Sequence, residues 1–141
     1  IRIYKMPNVS IWMIRLSLLY LISGITIGAL LLTHKAFPIS PQLWIFLPVH
    51  IELLIFGWII QFTLGTAYWM LPRFLNSKER GNGLMAVLMV IFLNVGIGVV
   101  IVSNFSTGIS HLAFLGRAFE TLAVILFASL HWKRIVSYAK H

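Results

Sequence analysis

The chain contains no cysteine and very little charge. Without cysteine it cannot form disulfides, thiolate zinc sites, iron–sulfur clusters or covalently attached c-type haem. Charged residues make up 10% of the sequence, against about 25% in an ordinary soluble domain. Hydrophobic residues make up 60%, and a chain of 141 residues cannot bury that much apolar surface within itself. A soluble monomer and a disordered chain are therefore excluded, and lipid remains as the solvent for the apolar surface.

Four long apolar runs account for this composition. A helix that crosses the hydrocarbon core of a bilayer needs about 20 apolar residues. The runs predict an all-α integral membrane protein with one domain (1–141) and helices over about 11–34, 42–75, 83–103 and 107–137. The connections are short, so we expect neighbouring helices to be antiparallel in an up-down-up-down four-helix bundle.

The basic residues fall unevenly on the two ends of the predicted helices. Side A is defined as the side of both termini, and side B as the opposite side. The positive-inside rule then places both termini in the cytoplasm of a multi-pass protein of the bacterial inner membrane. The orientation of the helices in the membrane accounts for the excess of basic residues, so we predict no nucleic-acid partner. Side B receives Lys35, whereas side A receives Arg2, Lys5, Arg15, Arg73, Lys78, Arg80, Lys133, Arg134 and Lys140.

Two histidines lie at similar predicted depth near side B. His50 lies near the start of the second predicted helix, and His111 near the start of the fourth. Neutral imidazoles on two parallel-running helices are a suitable pair of axial ligands for haem iron. We therefore predict one bis-histidine haem held by His50 and His111. His34, at the side B end of the first helix, is the alternative second ligand, and a helix-end position in the interface is the competing interpretation for each of these histidines.

Glycines accompany the predicted ligands. Gly57 lies two turns after His50, and a glycine there would let a flat macrocycle approach the helix. Gly24 and Gly28 form a small-xxx-small pattern in the first helix. All three glycines are candidate haem contacts. The small-xxx-small pattern of Gly24 and Gly28 is also common where two helices pack closely.

The fourth predicted helix carries polar residues within its apolar run. Arg117 and Glu120 are three residues apart and can pair along the helix. Two functional uses remain open beside that pairing: Arg117 could hold a haem propionate, and Glu120 could move a proton for a quinone. Glu52 faces away from His50 on a helical wheel, and for Glu52 too both a structural ion pair and a functional role remain open. Asn94 is predicted to join helices by a hydrogen bond.

One segment of the chain resembles a known helix. The residues are His50-Ile-Glu-Leu-Leu-Ile-Phe-Gly57-Trp58, followed by Phe62, Gly65, Tyr68 and Leu71-Pro72-Arg73. They resemble the second helix of subunit I in the haem–copper oxidase superfamily, in the branch of nitric oxide reductase and the C-family cytochrome oxidases. The resemblance implies that His50 is an axial ligand of a low-spin haem b.

The chain has no adjacent His–His pair, which that family's copper site needs. We therefore predict no reduction of oxygen or nitric oxide, and expect a non-catalytic electron-transfer subunit of a larger respiratory or photosynthetic complex. It would pass electrons between a quinone and a partner redox subunit. The alternative is a haem-free structural subunit that helps to assemble a membrane complex.

Overall fold

The computed structural model describes residues 6–71, 82–106 and 110–132, and nearly all of these residues are helical. Helix α1 is Asn8–Ala36, and a second long segment, Pro41–Met70, is called the second span below. Helices α4 (Gly83–Phe105) and α5 (Ser110–Trp132) follow. Four helical segments are long and apolar enough to cross a membrane. The all-α architecture with four potential membrane spans, as expected from the sequence, is confirmed.

The second span is not one regular helix. It begins with a 3₁₀ turn, Pro41–Ile45, and continues as helix α2 (Phe46–Glu52). A π-helical segment, Leu53–Ile60, separates α2 from helix α3 (Gln61–Met70). Pro48 lies in the first turn of α2, where its missing N–H costs no helical hydrogen bond. The interruption in this span is therefore the π segment, five residues beyond the proline.

The second span ends earlier than the sequence pattern predicts. The apolar run predicts helix to residue 75, but α3 ends at Met70 and Leu71 has extended backbone angles. The cause is Pro72, because a proline disfavours the helical conformation of the residue before it. Residues 72–75 of the predicted helix lie outside the described residues. The other predicted bounds differ from the observed ones by a few residues. Residues 107–109 and 133–137 of the predicted fourth helix lie outside the described residues.

Helix α1 packs along the second span through a series of glycines. Gly65 receives Met13, Gly57 receives Tyr20, and Gly24 receives Leu54, each so closely that an added Cβ would lie 2.6–2.8 Å from the neighbouring side chain. Residues late in the second span thus contact residues early in α1. Residues earlier in the span contact residues later in α1. Close approach at small residues is the usual basis of helix association in lipid, where both surfaces are apolar.

Helices α4 and α5 also pack closely against each other at glycines. A Cβ on Gly96 would lie 2.9 Å from the carbonyl oxygen of Gly116, and one on Gly116 would lie 2.5 Å from a methyl group of Val100. The buried core between the helix pairs is apolar and is formed by Met13, Leu64, Met89, Leu93, Ile97 and Ala123.

The outer surface of the bundle is apolar as well. Large hydrophobic side chains are exposed along all four spans, among them Ile22, Ile59, Ile91 and Phe114. A bilayer would cover this surface, because lipid chains are as apolar as these side chains.

Candidate functional site

His50 is held in one orientation by the backbone of α1. Its Nδ1 lies 2.7 Å from the carbonyl oxygen of Gly24. A carbonyl can only accept, so Nδ1 carries the proton and donates it. In the neutral imidazole, Nε2 is then left with a lone pair. A hydrogen bond from Nδ1 to a backbone carbonyl is the arrangement that commonly orients a metal-ligating histidine.

The glycines predicted as haem contacts lie between helices. A Cβ on Gly28 would lie 2.5 Å from Cε1 of His50, so the imidazole of His50 lies directly on Gly28. The side chains of Leu54 and Tyr20 take the space beside Gly24 and Gly57. These glycines therefore make helix packing possible in the structure. Their contact with a cofactor stays a prediction.

His111 lies on the first turn of α5 and is exposed. No hydrogen bond or ring contact among the described residues joins it to His50. Within the described residues there is also no group of three or more His, Asp or Glu that could hold a metal ion. A bis-histidine haem needs only two ligands. Of the predicted pair, His50 is oriented by a backbone hydrogen bond and His111 lies on an open surface.

His34 has the opposite hydrogen bonding. The backbone N–H of Ile39 donates to its Nδ1 at 2.9 Å, and the N–H of Ser40 does so at 3.4 Å. Because Nδ1 accepts, the neutral ring carries its proton on Nε2. The ring is buried and packs edge-on against Trp44. His34 thus closes the turn after α1, and iron binding at either nitrogen would require a change in this arrangement.

A three-residue ionic cluster lies within the predicted membrane region. Arg117 Nη1 donates to Glu120 Oε2 at 2.7 Å, which confirms the pair predicted along α5. Arg117 Nη2 lies 2.7 Å from Glu52 Oε2 on the second span, an interaction that the sequence did not reveal. The guanidinium carbon also lies 4.7 Å from the centre of the Phe56 ring. One guanidinium therefore joins α5 to the second span through two carboxyl groups.

The ionic cluster contains two acids and only one base. With both carboxyl groups ionised, two negative charges face one positive charge. Both acids are almost fully buried, at 1–2% exposure, and Oε1 of each has no hydrogen-bond partner in the part of the chain that the structure describes. Arg117 is half-exposed. A haem propionate would add another negative charge to this group, so the arrangement gives no support to the propionate role considered for Arg117.

Two further contacts concern residues singled out in the sequence. The Tyr20 hydroxyl donates to Oδ1 of Asn94 at 2.8 Å, so Asn94 joins α4 to α1 as predicted. At the other end of the bundle, the rings of Tyr68 and His131 meet edge-on, with centroids 5.6 Å apart. Arg73 of the segment that resembles an oxidase helix lies outside the described residues. The sequence matches no protein-family model, no curated protein and no solved structure.

Proposed function

We propose that this protein is a haem b-binding electron-transfer subunit of a larger membrane redox complex. The observation that carries the proposal is the hydrogen bond from His50 Nδ1 to the Gly24 carbonyl, because it leaves the Nε2 lone pair of an intramembrane imidazole for iron. The haem supplies the one-electron chemistry, and the protein supplies ligation, burial and orientation. His50 is the first axial ligand and His111 the second.

His111 is favoured over His34 as the second ligand on chemical grounds. The exposed ring of His111 is open to a cofactor or a partner, whereas Nδ1 of His34 already accepts two backbone N–H groups. A haem bound at His111 would lie toward the outer surface of the bundle. This placement suits a subunit that exchanges electrons with a neighbouring protein and with a quinone.

The proposed orientation is an up-down-up-down bundle with both termini in the cytoplasm. The contacts of α1 with the second span run in opposite order along the two segments, which supports antiparallel neighbours. The excess of basic residues on side A supports the cytoplasmic placement of the termini. The bacterial inner membrane is the location we propose on the same basis.

A second candidate function is a haem-free structural subunit. It is favoured by the way protein side chains take the space beside Gly24, Gly28 and Gly57. In this case His50 would serve only to join the second span to α1, and the half-exposed Arg117 would face another subunit.

An optical spectrum of the purified protein separates the two functions. The chain should be isolated from its native membrane in its assembled state and measured reduced minus oxidised. A narrow low-spin b-type band supports the cytochrome. A folded and fully assembled sample without haem would contradict it and leave the structural subunit.

A further inference from the structure

A cavity of about 320 Å³ lies at the turn between α1 and the second span, and it is called the turn cavity below. Its lining includes His34, Lys35, Ser40 and Trp44, together with two prolines. His34 lies in the last turn of α1, and Trp44 lies in the 3₁₀ turn that begins the second span. The turn cavity is therefore at the membrane–water boundary of two adjacent spans, which is the depth of lipid headgroups.

His34 lines the turn cavity and has one N–H donor. Its ring is 5% exposed, and the two backbone N–H groups that donate to Nδ1 fix the proton on Nε2. No described residue accepts a hydrogen bond from this Nε2–H. Because His34 lines the cavity, an acceptor within it would complete the hydrogen bonding of a ring that is otherwise buried.

Lys35 brings a positive charge without a carboxylate partner among the described residues. It is exposed and is the only charged residue between Arg15 and Glu52 in the sequence. Glu52 and Glu120 are both engaged by Arg117, elsewhere in the bundle. The ammonium group of Lys35 is therefore available to an anionic group from outside these residues.

These observations identify the chemistry of the ligand. A buried N–H donor, an ammonium group and an exposed Trp44 surround one cavity at headgroup depth, and no acidic side chain lines it. We propose that the turn cavity binds the phosphate group of a phospholipid, with His34 and Lys35 as its donors. Trp44 packs at the level of the glycerol backbone, as tryptophan commonly does at a membrane interface. This proposal does not depend on haem binding.

Binding of defined ligands to the full chain in detergent tests the proposal. The retained ligand is counted by native mass spectrometry after titration with phosphatidylglycerol, with diacylglycerol or with inorganic phosphate. We expect one tightly held phosphatidylglycerol, and weak retention of the other two. Equal binding of diacylglycerol would show that the tails alone are recognised. Tighter binding of inorganic phosphate than of the lipid would assign the cavity to a free anion. Either outcome would overturn the proposal.

Variants identify the donors. Lys35→Gln should weaken phosphatidylglycerol binding about tenfold, the effect of losing a charged partner, whereas Lys35→Arg should retain it. His34→Asn keeps an acceptor at the position of Nδ1, so that the turn still forms, but it removes the Nε2–H and should weaken binding as well. Lys5→Gln, which removes the same charge before α1, is the matched control. Unchanged binding in Lys35→Gln, or an equal loss in Lys5→Gln, would contradict the assignment.

Discussion

His50 and Glu52 are two residues apart on the second span, yet they face different neighbours. His50 packs on Gly28 of α1 and donates one hydrogen bond to a backbone carbonyl. Glu52 faces α5, where its carboxyl group meets Arg117. The α1 face is neutral and closely packed by glycines, whereas the α5 face is joined by long charged side chains. A polar group in lipid can thus be held in two ways: by the backbone of a closely packed helix, or by an opposite charge on a neighbouring helix.

The largest expected effect is on the α1 face. His50→Ala removes the imidazole that donates from Nδ1 to a backbone carbonyl of the neighbouring helix α1, so we expect complete loss of low-spin haem. His34→Asn should leave the spectrum unchanged, because the Nδ1 of His34 serves the turn. His111→Ala should convert the haem to a high-spin form or release it. A normal low-spin spectrum in His50→Ala would remove the basis of the proposed function.

The ionic cluster on the α5 face gives the next effect. Arg117→Gln leaves two buried carboxyl groups without a counter-charge and should destabilise the protein by about 3 kcal/mol, the lower end for breaking a buried ion pair. Glu120→Gln leaves one acid and one base, so it should destabilise the protein clearly less than Arg117→Gln does. Unfolding in mixed micelles measures both. The triple variant Glu52→Gln, Arg117→Gln, Glu120→Gln should recover part of the loss. Equal destabilisation by the two single variants would show that the charge imbalance is irrelevant.

A smaller effect tests the glycine packing. Gly28→Ala places a methyl group 2.5 Å from Cε1 of His50, so the imidazole must move, at a cost of about 1–3 kcal/mol. Gly98 is the matched control, because nothing lies within 4 Å of a Cβ at that helical position. Gly98→Ala should be neutral or stabilising by up to about 1 kcal/mol. If thermal unfolding in detergent gives the same midpoint for both variants, the close contact at Gly28 does not matter.

The smallest effect concerns Tyr20 and Asn94. Tyr20→Phe removes one hydrogen bond between α1 and α4 and should cost about 0.6 kcal/mol, the average measured for such bonds in a membrane protein. A double-mutant cycle with Asn94→Ala isolates the pair, since each single variant also changes packing. A coupling energy near zero would mean that the two groups find other partners.

The sequence was informative where one helix determines the result. Apolar runs of spanning length located the four spans, and the spacing of Arg117 and Glu120 predicted their pairing. The small residues of α1 and the second span indicated close packing, which is observed. The ion pair between Glu52 and Arg117 could not be predicted from the sequence. The two residues are 65 positions apart, and a helical wheel does not show which helices are neighbours.

The hydrogen bonding of the histidines was equally hidden. His34, His50 and His111 look alike in the sequence, and each falls near a predicted helix end on side B. His34 and His50 differ because N–H groups of the following turn donate to Nδ1 of His34, whereas Nδ1 of His50 donates to a carbonyl of α1. The π segment was also missed, since its residues are ordinary apolar residues of a membrane helix.

That π segment has a consequence for how the chain tolerates changes in length. A turn closed between residues five apart contains one residue more than a turn of α-helix. Deleting Ile59, which is half-exposed and lies after Gly57, should therefore allow ordinary helix to form while the flanking halves of the span keep their relative rotation. The same deletion at exposed Ile91 in α4 has no surplus residue to absorb it and would turn everything beyond it by about 100°. We therefore expect the second span to tolerate the loss of one residue in its middle. A regular transmembrane helix would not tolerate the same deletion.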